Sequence, residues 1–299
     1  MGNANMVIRF LDYLELERHY SPKTIESYRG DLECFRSYFE NLDADLTWNT
    51  IHSDIIRNWI EYQMDHGLAA SSIDKRLSAL RSFYRFALAR ELVTANPAHH
   101  VSGPKKSRPL PQFVKESDIN TILDKQHWGE DYESVLARTL LIVFYESGVR
   151  VSELVGLDDK DVDFLNHQLK VTGKRNKQRV IPFGEEMAET LQRYISLRDA
   201  EVDKQTDALF LTSKGRRMST ATVRTRVKRV LSQIPTLKKC SPHVLRHSFA
   251  TAMLNHNARL ESVKKLLGHE SLSTTEIYTH TTFEQLKKEY KNAHPRVGK

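Results

Sequence analysis

The feature that most restricts the fold is a short stretch that suits neither a helix nor a strand. Residues 103–111 read Gly-Pro-Lys-Lys-Ser-Arg-Pro-Leu-Pro, with three prolines and three basic residues. Proline lacks an N–H and fixes φ, so a segment of this kind stays extended. The chain has 299 residues, and a single hydrophobic core rarely supports a chain of that length. We therefore predict two domains, 1–103 and 117–299, joined by a basic linker over 104–116.

The segment before the linker is predicted to form a helical bundle. Apolar residues recur at helical spacing over about 6–19, after Ser21-Pro22, over about 53–66 and over about 71–92. The last of these helices carries basic residues opposite its apolar stripe. Such a face is typical either of a solvated surface or of one that contacts phosphates. The candidate phosphate contacts there are Lys75, Arg76, Arg81 and Arg85.

The segment after the linker is predicted to be mostly helical, with a small β-hairpin. A helix over about 132–147 is broken by Gly148, and a further helix covers about 185–201. Residues 168–172 and 179–182 alternate between polar and apolar, which predicts two strands joined by a basic turn. We also predict a short apolar strand at 208–211 and a final amphipathic helix at about 283–292.

Charge indicates a polyanionic partner for the second segment. Residues 1–103 hold 11 basic and 14 acidic residues, a net charge of −3, and the remainder holds 34 basic and 24 acidic residues, a net charge of +10. Residues 214–229 contain seven basic residues and no acidic one. Solvated helix faces normally mix both signs, so this composition favours contact with nucleic acid. The seven are Lys214, Arg216, Arg217, Arg224, Arg226, Lys228 and Arg229.

Composition also indicates whether a membrane span, disulfides or a cofactor should be expected. The chain has no run of about 18 apolar residues, so no membrane span is expected. Cys34 and Cys240 belong to no paired motif, which favours a reduced, cytoplasmic protein without disulfides. There is no phosphate-binding loop with a Gly-Lys-Ser/Thr end and no acidic metal cluster, so no cofactor is expected.

The residues from Ser241 to His280 have the chemistry that a phosphodiester requires. Ser241-Pro242 should start a helix, which places His243 and Arg246 on one face because they are three residues apart. Gly268 should end a later helix and turn the next residue back toward that face. The segment thus supplies a guanidinium, imidazoles and a phenol, which can bind phosphate, move protons and attack phosphorus.

These residues, together with two motifs earlier in the chain, resemble the tyrosine recombinase (phage-integrase-type) family, most closely its Xer-like branch. Arg150 in Gly-Val-Arg-Val-Ser-Glu-Leu matches the family's first catalytic arginine, and Lys174 in Gly-Lys-Arg-Asn-Lys matches its hairpin lysine. Glu153 stands where some members carry a supporting acidic residue. Arg150 lies between apolar neighbours, and from the residues alone a structural ion pair with Glu153 explains a charge there equally well.

The remaining matches lie in the C-terminal stretch. His243 and Arg246 form the family's His-x-x-Arg box, His269 in Leu-Gly-His matches its second histidine, and Tyr278 in Ile-Tyr-Thr-His matches its nucleophile. The resemblance covers essentially the whole chain. It implies a mainly α fold, with an N-terminal SAM-like helical core-binding bundle and a mixed, mostly helical catalytic domain that contains a small β-hairpin or sheet.

The resemblance also implies a mechanism and a DNA partner. Tyr278 would attack a phosphate of double-stranded DNA, His243 would remove its proton and Lys174 would protonate the departing 5′ oxygen. The two arginines and His269 would stabilise the charge on the phosphate. The candidate DNA contacts then comprise the basic residues named above and three in the linker, Lys105, Lys106 and Arg108.

The family works as a tetramer through a Holliday junction, so a homo- or hetero-tetramer with another tyrosine recombinase is expected. Its terminal helix would dock on the next subunit, and a septal DNA translocase would be a further partner. Other readings are an integrase of a mobile element, a type IB topoisomerase and a DNA-binding protein with an inactive site. His243 and His247 have the spacing of a zinc-binding helix, but Val244 stands where a metalloprotease carries glutamate.

Overall fold

The protein is mainly helical and divides into two compact units, Met1–Pro109 and Leu110–Lys299. This confirms the expected fold class, with one small antiparallel sheet in the second unit. No helix within the described part of the chain is long and apolar enough to cross a membrane. The computed structural model describes residues 2–105, 112–124, 128–173, 176–268 and 280–297, with the backbone alone for 280–285.

The first unit is a bundle with an aromatic core. Its second helix starts as expected, because the Ser21 side chain accepts from Thr24 N at 3.3 Å and proline occupies the first turn. The fourth helix ends at Ala89 rather than at the expected 92, because Glu91 adopts a non-helical φ of 54°. The helices are α1 (Asn3–Asp12), α2 (Pro22–Leu42), α3 (Ser53–Asp65) and α4 (Ala70–Ala89). The fully buried aromatic rings include Phe10, Phe35, Phe39, Trp48, Trp59, Phe83 and Tyr84.

The first helix differs from the expected 6–19 at both ends. It starts at Asn3 because this residue is tied to Trp48: Asn3 Oδ1 accepts from Trp48 N at 3.2 Å, and Asn3 O accepts from Trp48 Nε1 at 3.0 Å. After Asp12 the chain continues as a π-helical turn, Tyr13–Glu17, closed by Arg18 N donating to Tyr13 O at 3.1 Å. A long-range contact therefore set the start of this helix.

The second unit is organised around one helix that is buried on nearly all sides. This helix, α6, packs against α5, α8, α9 and α10, and Gly148 ends it in the left-handed conformation at a φ of 60°, as the sequence predicted. The helices here are α5 (Glu116–Leu123), α6 (Tyr132–Ser147), α7 (Val151–Val155), α8 (Glu185–Glu201), α9 (Thr220–Leu231), α10 (Pro242–Asn255), α11 (Leu260–Leu267) and α12 (His280–Ala293).

The predicted hairpin is confirmed. Strands β2 (Gln168–Thr172) and β3 (Gln178–Pro182) pair antiparallel, and Gly173 N donates to Lys177 O at 2.7 Å where they turn. A further strand, β1 (Val162–Asp163), pairs with β2. Two residues are too few to show an alternating pattern, so the sequence could not reveal β1.

The short strand expected at 208–211 is wrong. Only isolated bridges form there, between Asp158 and Ala208 and between Leu211 and Arg217. Tyrosine side chains take the place of a strand partner: Tyr132 Oη donates to Leu211 O at 2.9 Å, and Leu211 N donates to Tyr194 Oη at 3.0 Å. The segment is apolar because it is buried. Hydroxyls satisfy the backbone of Leu211, whereas Leu209 N donates to Leu157 O and Met218 N donates to Phe210 O.

The terminal helix α12 packs on its own unit in this structure. Leu286 and Tyr290 are buried against the main core, and Tyr290 Oη donates to Glu146 O at 3.0 Å. His294, just after the helix, is also buried and lies 3.3 Å through Nε2 from Tyr145 O. Docking of this helix on a neighbouring subunit stays a prediction.

Candidate active site

The C-terminal ends of α6 and α11 meet the middle of α10 at Gly148. A β-carbon at this position would lie 2.5 Å from Cδ1 of Phe249 in α10 and 2.9 Å from Cδ2 of Leu267 in α11. Only glycine permits such an approach together with a positive φ. The end of α6 is therefore pressed between α10 and α11, the two helices that carry or precede the C-terminal site residues.

Arg150 is held at the start of α7 by Glu153. Its backbone N donates to Glu153 Oε2 at 2.7 Å, its Nη1 donates to Glu153 Oε1 at 2.8 Å, and its Nη2 donates to Gly268 O at 3.1 Å. The ion pair that the sequence left as an equal alternative is present. The side chain of Arg150 nevertheless stays 34% exposed, whereas that of Glu153 is 2% exposed. Arg150 therefore still has surface on which to meet an external anion.

Arg246 is the buried partner of Arg150. Its Nη1 donates to Gly148 O and its Nη2 to Leu267 O, each at 2.6 Å. Burial, followed by the positive charge of Arg150, lowers the pKa of the Arg246 guanidinium to about 10, so the group stays charged at neutral pH. The positive charges of Arg150 and Arg246 repel each other, and a bound anion would offset that repulsion.

His243 lies one turn before Arg246 on α10, as predicted, and is exposed. Partial burial lowers the pKa of His243, and the charges of Arg246 and Arg224 lower it further. The imidazole is therefore neutral at pH 7 and free to accept a proton. Ser241 occupies the expected N-cap position, although its side chain makes no capping hydrogen bond.

Arg179 of β3 is a site residue that the sequence did not reveal. Its Nη1 and Nη2 donate to Oε1 and Oε2 of Glu153, each at 2.9 Å, and its Nε donates to Leu266 O at 2.7 Å. Burial alone would raise the pKa of Glu153, but the hydrogen bonds and charge of Arg179, followed by those of Arg150, lower it to about 2. The sequence showed only an arginine at the start of a predicted strand, with nothing to indicate its partners.

The C-terminal end of α11 binds three arginines in succession. The carbonyls of Leu266, Leu267 and Gly268 accept from Arg179, Arg246 and Arg150 respectively. These carbonyls carry the negative end of the helix dipole, which stabilises positive charge. Gly268 ends the helix at a φ of 64°, as the sequence predicted. Residues far apart in the sequence are thereby brought together.

Three predicted catalytic residues, Lys174, His269 and Tyr278, lie outside the described residues. The chain leading to two of them is described: Gly173 follows β2, and Gly268 ends α11.

The predicted phosphate contacts in the first unit differ in their availability. Arg85 is exposed, and Lys75 is exposed beside Asp31 at 3.3 Å. Arg81 donates through Nη2 to Val101 O at 2.6 Å. Arg76 pairs with Asp31 and with Gln63. Lys105 is exposed, and Lys106 and Arg108 lie outside the described residues.

The seven basic residues of 214–229 also separate into two groups. Arg217 donates through Nη1 to Val155 O at 2.9 Å and pairs with Asp158. Arg226 is half-buried and forms an ion pair with Glu133 of α6. These two arginines bind their own unit. Arg217 stays exposed while it makes these contacts. The other five are also exposed: Lys214, Arg216, Arg224, Lys228 and Arg229.

No metal centre is formed by the residues that the structure describes, since no three His, Cys, Asp or Glu side chains there are grouped to hold an ion. The arrangement instead gathers the buried Arg246, the partly exposed Arg150 and the neutral imidazole of His243. That combination suits binding of a phosphodiester and proton transfer.

Comparisons with known proteins agree with this chemistry. Residues 112–285 match the phage integrase family, and residues 7–91 match the phage integrase N-terminal SAM-like domain. The chain is 37% identical to the tyrosine recombinase XerC of Pelotomaculum thermopropionicum, covering 96% of this chain and 97% of that one. It is 36% identical to the XerC of Staphylococcus saprophyticus, covering 97% of each.

The fold is similar to that in the crystal structure of XerH site-specific recombinase bound to palindromic difH substrate. The TM-score is 0.72 at 22% identity, covering 96% of this chain and 88% of that chain. Sequence identity over nearly the full length and a shared fold lead to the same assignment. The chain belongs to the phage integrase family.

Proposed function

We propose that this protein is a site-specific tyrosine recombinase that cuts and rejoins double-stranded DNA. The observation that carries the proposal is the convergence of Arg150 and Arg246 on adjacent carbonyls, Gly268 O and Leu267 O. Two guanidinium groups that are far apart in the sequence are thereby held in place next to each other. Preorganised donors stabilise the charge that builds on a phosphate under attack.

The first step is attack by Tyr278 Oη on the scissile phosphorus. The Oη–P bond forms as the bond from phosphorus to the 5′ oxygen breaks. His243 takes the phenolic proton, a role supported by its lowered pKa, and Lys174 delivers a proton to the 5′ oxygen. Arg150 and Arg246, with His269, bind the non-bridging oxygens. The product is a 3′-phosphotyrosine and a free 5′ hydroxyl.

The second step reverses the first with a different strand. The 5′ hydroxyl of another DNA strand attacks the phosphotyrosine, and the groups that served as base and acid exchange roles. Because the phosphotyrosine conserves the energy of the phosphodiester, rejoining requires no nucleotide hydrolysis. Exchange of one pair of strands and then of the other passes through a Holliday junction.

The two units would divide the work of binding DNA. Residues 1–103 act as the core-binding domain, residues 104–116 as a basic linker, and residues 117–299 as the catalytic domain. The exposed Lys214, Arg216, Arg224, Lys228 and Arg229 contact phosphates from the catalytic domain, and the exposed Lys75 and Arg85 do so from the core-binding domain. Arg217 and Arg226 bind their own unit and make a smaller contribution.

A Xer-like role suits the protein better than that of a mobile-element integrase. Its relatives named XerC match it over nearly the full length of both chains. We propose that it resolves chromosome or plasmid dimers in the cytoplasm, as a tetramer with another tyrosine recombinase. In that assembly α12 docks on the neighbouring subunit, and a septal DNA translocase controls the reaction.

The test uses DNA selected by the wild-type protein from a random-sequence library. A duplex carrying that site is nicked just 3′ of the scissile phosphate, so that the short released fragment diffuses away and the covalent intermediate accumulates. Wild type should give a protein–DNA adduct on a denaturing gel, and Tyr278→Phe should bind the same duplex but give none. An adduct in the Tyr278→Phe variant would place the nucleophile elsewhere. No adduct in wild type, with the partner recombinase also supplied, would refute the proposed function.

A further inference from the structure

The side chain of Arg179 lies close to two glycines that each precede a residue proposed above as catalytic. A β-carbon on Gly268 would lie 3.0 Å from Arg179 Nη1 and 3.3 Å from its Cδ and Cζ. A β-carbon on Gly173 would lie 3.8 Å from Arg179 Nη1 and 3.3 Å from Glu153 Oε1. The guanidinium therefore lies against both backbones. Lys174 follows Gly173 in sequence, and His269 follows Gly268.

The same guanidinium is joined to Arg150 through one carboxylate. Glu153 Oε1 accepts from both Arg179 Nη1 at 2.9 Å and Arg150 Nη1 at 2.8 Å, and Oε2 accepts from Arg179 Nη2 and from Arg150 N. The side chain of Glu153 is 2% exposed and that of Arg179 10% exposed, so water cannot readily replace these bonds. Arg179 thus connects α7, the β2–β3 turn and the end of α11.

We infer that Arg179 is a positioning residue that fixes Arg150 relative to the backbones of Gly173 and Gly268, from which the chain continues to Lys174 and His269. A planar guanidinium can bind a carboxylate with two N–H groups while its Nε binds a carbonyl. Lysine offers one ammonium at one point, so it cannot hold Glu153 in that geometry and Leu266 O at the same time. The inference rests on the proposed function, because it concerns the order of groups in that reaction.

The alternative is that Arg179 only stabilises the fold, and the chain contains a matched control. Arg138 of α6 also has a side chain that is 10% exposed, and its Nε likewise donates to a carbonyl, Leu123 O at 3.0 Å. Its Nη2 donates to Glu186 Oε1 at 3.0 Å. Arg138→Lys therefore disrupts a comparable buried ion pair that has no contact with the proposed catalytic segments among the described residues.

The experiment compares single-turnover cleavage by wild type, Arg179→Lys and Arg138→Lys on two nicked duplexes. One has the ordinary 5′ oxygen at the scissile phosphate, and the other has sulfur at that position. A thiolate leaves without being protonated, since thiols have a pKa of about 8.5. The sulfur duplex thus bypasses the proton that Lys174 supplies, and it reports whether this group is misplaced.

On ordinary DNA we expect Arg179→Lys to cleave about 100-fold more slowly than wild type, the effect of an error of about 1 Å in catalytic geometry. The sulfur duplex should recover at least about tenfold of that loss, since general acid catalysis contributes at least about 100-fold. DNA affinity should change by less than about twofold. Arg138→Lys should cleave both duplexes at the wild-type rate per folded molecule. Gly173→Ala, whose methyl group would press on Glu153, should show the same selective recovery if Arg179→Lys fails to fold.

Each result decides the inference. Equal slowing of Arg179→Lys on both duplexes, or no slowing, would overturn the positioning role. Equal slowing of Gly173→Ala would do so when that variant is the one measured. Absence of an adduct in the wild-type lanes of both duplexes would refute the proposed function itself, and a defect confined to the variants cannot be mistaken for it.

Discussion

Replacing Gly148 by alanine should destabilise the second unit substantially. The residue has a φ of 60°, so a β-carbon is strained whatever surrounds it, at about 1–2 kcal/mol. That β-carbon would also lie 2.5 Å from Phe249 Cδ1 and 2.9 Å from Leu267 Cδ2, and overpacking of this kind costs about 1–3 kcal/mol. Together we expect a loss of about 2–5 kcal/mol in the free energy of unfolding.

The site should respond along with the stability. Gly148 O accepts from Arg246 Nη1, and Leu267 O accepts from Arg246 Nη2, each at 2.6 Å. A methyl group that pushes α6 away from α10 and α11 must lengthen at least one of these bonds. Adduct formation by the folded fraction of Gly148→Ala should therefore fall by about tenfold or more.

Hydrogen exchange of the α6 and α10 amides measures the opening free energy of this unit separately from the other. Gly156→Ala is the control in the same unit, since Gly156 has a φ of −83° and its β-carbon would meet only backbone oxygens at 3.4 Å. Gly67→Ala measures the conformational strain without the clash, since Gly67 has a φ of 77° and nothing within 4 Å of its β-carbon. It should cost about 1–2 kcal/mol in the first unit. A cost of Gly148→Ala no larger than that of Gly67→Ala would refute the packing argument.

Two further predictions concern charge. Replacing Arg224, Lys228 and Arg229 by glutamine should reduce the slope of log K against log salt by about 0.9 for each phosphate that the variant no longer binds, whereas Arg226→Gln should leave that slope nearly unchanged. Equal slopes for the two variants, in binding titrations between about 50 and 200 mM salt, would mean that the exposed face does not touch DNA. Burial, followed by the charge of Glu186, raises the pKa of Glu146 to about 8. Because the folded state holds this proton more tightly than the unfolded state, stability declines as pH rises from the unfolded value toward about 8, and Glu146→Gln should remove that decline. Thermal unfolding at about pH 5 and about pH 8 checks this, and a gain of the variant over wild type that fails to grow with pH would contradict it.

The sequence by itself determined the features that depend on neighbouring residues. Helix periodicity, the Ser21-Pro22 start, the glycine ends at Gly148 and Gly268, and the β2–β3 hairpin all arise from short-range preferences, and the structure confirms them. The family could also be recognised from the sequence, because its motifs are short strings of residues at fixed positions. The three-residue spacing of His243 and Arg246 alone placed them on one face of α10.

Only the tertiary structure decided what depends on partners far along the chain. Trp48 fixed where α1 begins, and two tyrosine hydroxyls bind the backbone of Leu211 in the segment predicted as a strand. Among the seven basic residues of 214–229, Arg226 binds its own unit because it pairs with Glu133, and Arg217 does so because it pairs with Asp158. Arg179 looked like an ordinary strand residue until the fold brought it to Glu153, 26 residues away, and to Leu266 O, 87 residues away. A sequence pattern records the preference of a residue for a helix, a strand or a surface, whereas the identity of a distant partner is fixed only when the chain packs.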